Sequence, residues 1–219
     1  MAISLQKITL EKKGDLHMID LTKKTDPITQ EININLNWSK TTKKGFLGGL
    51  FSSDTDIDLD LGCFYELSDG TKNVIDGVQF AKGNGGSKEI STRQGRYTAA
   101  PWVWHTGDDR GVAAGSGENI IVNPKGIGEL KRIVIYCFIY NGVARWQETN
   151  ATVTVKVPGK AEIEVQMGKQ TSSEPFCAIA EIQFTPDSMG VRKLVTFHPN
   201  HSHCDAAYHW GMRWQAGSK

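Results

Sequence analysis

Apolar and polar residues alternate along this chain in short runs rather than in helical turns. Ile32, Ile34, Leu36 and Trp38 alternate with Asn33, Asn35 and Asn37. A period of two places the four apolar side chains on one face of a strand. Residues 133–140 are apolar throughout and rich in β-branched and aromatic side chains, which predicts a strand covered on both faces. Residues 152–157 and 161–165 flank Pro158-Gly159. Proline presets φ at the first turn position and glycine accepts positive φ at the second, so a hairpin is expected there. Residues 176–184 and 192–197 predict a further pair around a turn at 187–190. Residues 4–10 and 16–21 predict two short strands around Gly14-Asp15. No stretch of a dozen residues keeps the i, i+3, i+4 spacing. Only residues 202–212 predict a short helix, with Ser202 as its cap, Asp205 at its third position and Gly211 near its end.

The class is therefore all-β: a two-sheet β-sandwich with glycine-rich loops and at most a short C-terminal helix. With 219 residues, one such domain accounts for the whole chain, residues 1–219. Composition sharpens this picture. There are 23 glycines against seven prolines, and many glycines punctuate short alternating segments. Residues 41–53 and 83–96 read as two glycine-containing loops. Of the six tryptophans, Trp38, Trp104 and Trp146 are expected in the core. Trp210 and Trp214 are expected to pack the C-terminal tail against it.

Charge removes several functions. Twenty-five basic and 24 acidic residues leave a net charge of +1, too little for a global field toward nucleic acid or a membrane. The run at 133–140 is too short to span a bilayer, which takes roughly 20 residues in a helix. No secretory h-region opens the chain, so a cytoplasmic location is expected. Cys63, Cys137, Cys177 and Cys204 show no Cys-x-x-Cys spacing and read as reduced thiols. No nucleophile elbow, P-loop or dinucleotide fingerprint is present. Residues 83–88 have the glycines of a phosphate cradle without its spacing or its helix. A non-enzymatic protein is expected.

The most informative chemistry is acidic. Asp54, Asp56, Asp58 and Asp60 occupy every second position. On a strand all four share one face, with neighbours roughly 7 Å apart, while Ile57, Leu59 and Leu61 take the other. Aspartate is a poor strand former. Two readings of this run stay open: a solvated edge whose charge prevents aggregation, or a site for a hard cation such as Ca²⁺, which gathers oxygen ligands. A second acidic segment begins at His105-Thr106-Gly107-Asp108-Asp109-Arg110 and runs through Gly111, Gly115 and Gly117 to Glu118 and Asn119. It follows an aromatic stretch, Trp102-Val103-Trp104. It lacks the spacing and helices of an EF-hand.

On these motifs the chain resembles the TerD family of bacterial tellurium-resistance and stress-response proteins. The matching pieces are the opening strands, Asp58-Leu59-Asp60-Leu61, the His105–Arg110 loop start, and the close from Gly211-Met212-Arg213-Trp214 to Lys219. The C-terminal match points to the TerA-type branch. The resemblance implies a β-sandwich that binds Ca²⁺, often at two neighbouring sites. The family's acidic positions match Asp58, Asp60, Asp108, Asp109 and, across a small gap, Glu118, with Asp56 as an outer candidate. The family's loop carries a denser run of acids than Ala113-Ala114-Gly115-Ser116-Gly117-Glu118. Affinity follows ligand charge count, so one site is expected, weaker than where the run is complete. The resemblance also implies partners among other tellurium-resistance proteins, one of them membrane-bound. Two further readings stay beside the calcium scaffold. One is oxyanion or soft-metal handling through Cys204 with His201 and His203. The other is a Ca²⁺-dependent sugar- or lipid-binding module using exposed aromatics.

Overall fold

The computed structural model of the protein describes residues 6–22, 30–38, 57–76, 88–107, 117–141, 144–167 and 170–214. Among the described residues the chain forms thirteen strands in two stacked sheets. In chain order the strands are β1 (Ile8–Leu10), β2 (Leu16–Asp20), β3 (Ile32–Asn37), β4 (Asp58–Leu67), β5 (Lys72–Asp76), β6 (Gly95–Arg96), β7 (Val103–His105), β8 (Glu118–Val122), β9 (Leu130–Asn141), β10 (Thr152–Lys156), β11 (Ile163–Gln166), β12 (Phe176–Phe184) and β13 (Ser188–His198). A single helical turn, α1 (Trp146–Thr149), precedes β10, and a two-turn helix, α2 (His201–Tyr208), follows β13. The first sheet runs β1-β11-β10-β3-β8-β7-β6 and the second β2-β13-β12-β9-β4-β5.

The alternation in β3 becomes a burial alternation. Ile32, Ile34 and Leu36 are buried between the sheets, and Asn33, Asn35 and Asn37 are half-buried on the outer face of the first sheet. The unbroken apolar run in β9 has a different cause. β9 lies inside the second sheet, between β12 and β4. Its Ile133, Ile135, Cys137 and Ile139 enter the inter-sheet core. Its Val134, Tyr136 and Phe138 enter a second apolar layer on the outer face, with Phe64, Phe176, Cys204 and Trp210. α2 and the tail through Trp214 cover that outer layer. A strand with both faces covered has no position for a polar side chain, so the alternation disappears.

Several expectations are corrected. The strands flanking Gly14-Asp15 do not pair with each other: β1 pairs with β11 in the first sheet and β2 with β13 in the second. Gly14-Asp15 is thus a crossing between sheets. There Lys193 donates to the carbonyls of Leu10, Glu11 and Gln166. The β12–β13 turn is centred on Pro186-Asp187 rather than on 187–190, because Thr185 and Ser188 close it with mutual hydrogen bonds. That frees Met189 and Gly190 to pair within β13. α2 is capped by Asn200, whose side chain accepts from the His203 amide, and not by Ser202. Gly95 and Arg96, at the end of the second expected loop, form β6. Trp146 is fully buried and Trp38 packs half-buried against the inter-sheet core, but Trp104 is only half-buried. The 152–166 hairpin is present, with Gly159 at φ +72°. Residues 1–5, the loop at 41–53, residues 83–87 and the carboxylates of Asp54 and Asp56 lie outside the described residues.

Candidate functional site

The acidic strand and the far end of the glycine-rich loop meet at one peptide bond. In β4, Leu59, Leu61 and Cys63 point into the inter-sheet core, and Asp60 stands in register with Phe138 on the other face. Among the described residues the pairing of β4 with β5 begins at Gly62. Leu61, paired with Cys137 of β9 on its other side, lies one residue before that pairing, and among the described residues its N–H and C=O have no β5 partner. Buried backbone groups need one. Two side chains from the first sheet supply it. Glu118, the first residue of β8, accepts the Leu61 amide through Oε2 at 2.5 Å. His105, the last residue of β7, places Nε2 3.1 Å from the Leu61 carbonyl oxygen.

Glu118 thereby grips the peptide that joins Asp60 to Leu61. Asp60 and Glu118 are both fully buried, and Glu118 Oε2 lies 3.6 Å from His105 Nε2. The buried Cys137 thiol senses both acids: burial pushes its pKa well up, and the charges of Glu118 and Asp60 push it further. Asp58 is half-buried at the start of β4, where a register irregularity separates it from Leu59.

Both stems of the loop are held. Thr106 donates its amide and its hydroxyl to the Asn119 carbonyl. Asn35 donates to Asn119 Oδ1. Gly117 adopts φ +54°, and a Cβ there would lie 2.1 Å from the Leu36 carbonyl oxygen, so only glycine fits. Of the five residues read from sequence, Glu118 accepts the amide of the peptide that follows Asp60, and Asp58 lies two residues along the same strand. Asp108 and Asp109 follow Gly107 directly but lie outside the described residues. Among the described residues alone, no three His, Cys, Asp or Glu side chains form a metal-binding group.

Sequence reasoning assigned no role to His105. The available signal was its parity with Val103, which makes it an inward-facing residue of the same strand, followed two positions later by a glycine. The histidine-rich tail is dispersed instead of gathered. His201 Nε2 lies 2.6 Å from Asp76 Oδ2, His203 Nδ1 meets the Asn200 side chain, and Cys204 is buried in the outer apolar layer. All four cysteines are free and buried. Burial, then the charge of Asp205, pushes the Cys204 thiol up to about 12, so it holds no reactive thiolate near neutral pH. Trp102 and Trp104 are half-buried and do not form an exposed platform.

Comparison with known proteins agrees with this architecture. No family model matches the chain. It is 37% identical over 218 residues to the tellurium resistance protein TerA of an Alcaligenes species, covering 99% of this chain and 60% of that protein. It is 32% identical over 105 residues to tellurium resistance protein TerZ of Serratia marcescens, covering 48% of this chain and 46% of that protein. The chain thus spans less than two thirds of either relative. A solved structure of a protein of unknown function superposes with a TM-score of 0.56 at 11% identity, over 85% of this chain and 99% of the other. A Streptomyces coelicolor A3(2) homologue of the telluride resistance protein TerD superposes with a TM-score of 0.50 at 13% identity, over 81% and 95%. Those two likenesses show the fold. The chain is thus similar to tellurium-resistance proteins in sequence and to a TerD homologue in fold. The similarity to TerA extends along 99% of the chain.

Proposed function

We propose that the protein is a calcium-binding, non-enzymatic stress-response protein of the tellurium-resistance type, which uses its acidic strand and glycine-rich loop as a scaffold for partner proteins. The observation that carries this reading is the junction of Asp60 and Glu118. Asp60 and Glu118 are both fully buried, and Glu118 accepts the amide of the peptide that follows Asp60, beside the stems of a loop that carries Asp108 and Asp109. Carboxylate and backbone oxygens are the donors a hard divalent cation takes. Asp58, Asp60, Asp108, Asp109 and Glu118 would hold one ion. Bound calcium would supply positive charge and cross-link strand oxygens to loop oxygens. Glu118 holds the Leu61 amide through Oε2. Asp58 begins the strand. Ordering of the loop then shapes the surface that partners meet, by linkage between binding and local folding.

The partners are other tellurium-resistance proteins, one of them membrane-bound, and the working location is cytoplasmic. No helix among the described residues is long and apolar enough to cross a membrane. The scaffold is favoured over thiol or histidine chemistry by the buried cysteines and the divergent His201, His203 and Cys204. Calorimetric titration of metal-stripped protein with calcium tests the reading. Saturable binding at one ion per chain is expected, lost in Asp108→Asn/Asp109→Asn and in Asp60→Asn. No binding up to millimolar calcium would reject it.

A further inference from the structure

We infer that His105 is the positioning residue of this site, a fixed imidazole post that ties the loop to the acidic strand without ligating the ion. The inference rests on the calcium reading for the site it positions, and on geometry for its own role. His105 ends β7 and is fully buried. Its Nδ1 accepts the Gly107 amide at 3.0 Å. A nitrogen that accepts carries no proton, so the ring proton sits on Nε2 and is donated to the Leu61 carbonyl. The opposite tautomer would set a lone pair against that carbonyl and an N–H against the Gly107 N–H.

The ring cannot drift from this pose. Gln94 accepts the His105 amide at 2.9 Å and donates its side-chain amide to the His105 carbonyl at 3.0 Å. Those two bonds hold the residue's backbone from β6's side, while β8 holds it from the other through the His105–Ile120 pair. One imidazole therefore joins the entry of the loop, Gly107, to the residue that follows Asp60. Glu118, at the loop's exit, takes the amide of that same residue. Both ends of the loop are anchored on Leu61 by bonds that involve no ion.

With both ring nitrogens already committed to backbone, the ring has no lone pair left for a metal. Its contribution is to fix Gly107, the last described residue before the loop, against Leu61. Residues that orient ligands from outside the coordination sphere commonly change metal affinity 10- to 100-fold. A shift of about that size is expected here, with stoichiometry unchanged.

The test separates this role from the calcium reading. Asparagine can keep an acceptor near Nδ1, and glutamine a donor near Nε2, so His105→Asn and His105→Gln each break one tie. Calorimetry should show calcium affinity at least about tenfold weaker in both. Long-range ¹H–¹⁵N spectra of the wild type should show Nε2 protonated and Nδ1 bare, with and without calcium. Unchanged affinity in both variants overturns the proposal. A calcium-induced shift of either ring nitrogen to a metal-bound value overturns it too, by making His105 a ligand. Should the wild type bind no calcium, the calcium reading falls alone. The Gly107 and Leu61 amide resonances then decide: displacement of both in the variants upholds the post, and no displacement overturns it.

Discussion

At the residue scale the decisive features are backbone contacts that one side-chain atom would break. Gly117 and Gly14 both adopt positive φ, but a Cβ on Gly14 would meet nothing within 4 Å, whereas one on Gly117 would strike the Leu36 carbonyl at 2.1 Å. Left-handed backbone alone costs an alanine roughly 1–2 kcal/mol. Gly14→Ala should lose about that much in urea unfolding, and Gly117→Ala clearly more, because β3 must also move. An equal loss at both positions would show that the approach to Leu36 relaxes freely. The thiols give a second expectation at this scale. All four are buried, and desolvation raises each pKa. Ellman's reagent at pH 8 should label no cysteine in the native protein and four after denaturation. Rapid native labelling of Cys204 would reopen thiol chemistry.

At the element scale, α2 and the tail are fastened by two carboxylates. Asp76, at the end of β5, accepts from the Tyr136 hydroxyl at 2.7 Å and meets His201 at 2.6 Å. The His201 ring sits among Phe138, Phe176 and Trp214, at centroid distances of 4.7, 4.6 and 5.1 Å. Asp205, inside α2, accepts the amides of Gly211 and Met212 and the indole N–H of Trp214. The helix C-terminus meets cations, as its dipole favours: Lys72 donates to the His209 carbonyl and Arg132 to the Tyr208 carbonyl, while the Arg132 guanidinium also lies over the Trp210 ring at 4.1 Å. Replacing Asp205 by asparagine removes one carboxylate oxygen and leaves a donor facing donors. A loss of about 1–3 kcal/mol is expected, together with faster tryptic cleavage after Arg213. Unaltered cleavage would mean that the aromatic packing alone holds the tail.

At the scale of the whole molecule, pH and calcium should act on the same folding equilibrium. Burial opposes ionisation of Glu66, but hydrogen bonds from Lys131 and Arg132 outweigh it and leave its pKa lowered. The Lys7 hydrogen bond lowers Glu164 in the same way, against partial desolvation. A carboxylate with a depressed folded pKa contributes stability above its unfolded value, and that contribution is lost as pH falls through the folded one. Unfolding free energy should therefore fall below the ordinary glutamate value of 4.5. Glu66→Gln should flatten that acid limb. At pH 7, calcium at a hundredfold excess over its Kd should stabilise the wild type by about 2.7 kcal/mol. The shift in Tm should vanish in Asp108→Asn/Asp109→Asn. A Tm that ignores calcium in the wild type would contradict the calorimetric expectation.

Local chemistry by itself determined the strands and the acids. Period two in β3, the unbroken run in β9 and Pro158-Gly159 each act within a few residues, so their consequences could be read from order alone. The same holds for carboxylates at alternate positions leading to Asp58 and Asp60, and for a loop motif opening with His105. Only the tertiary structure decided which strands are neighbours. β1 and β2 are joined by a short turn and yet enter different sheets, because each finds its partner more than 140 residues away, in β11 and β13. Asn200 displaced Ser202 as helix cap because the exit of β13 set where α2 begins. The role of His105 was hidden for the same reason. It depends on Leu61, 44 residues earlier, which pairs with Cys137 of β9 on one side and turns its carbonyl to the first sheet, an orientation that exists only once sheets have formed.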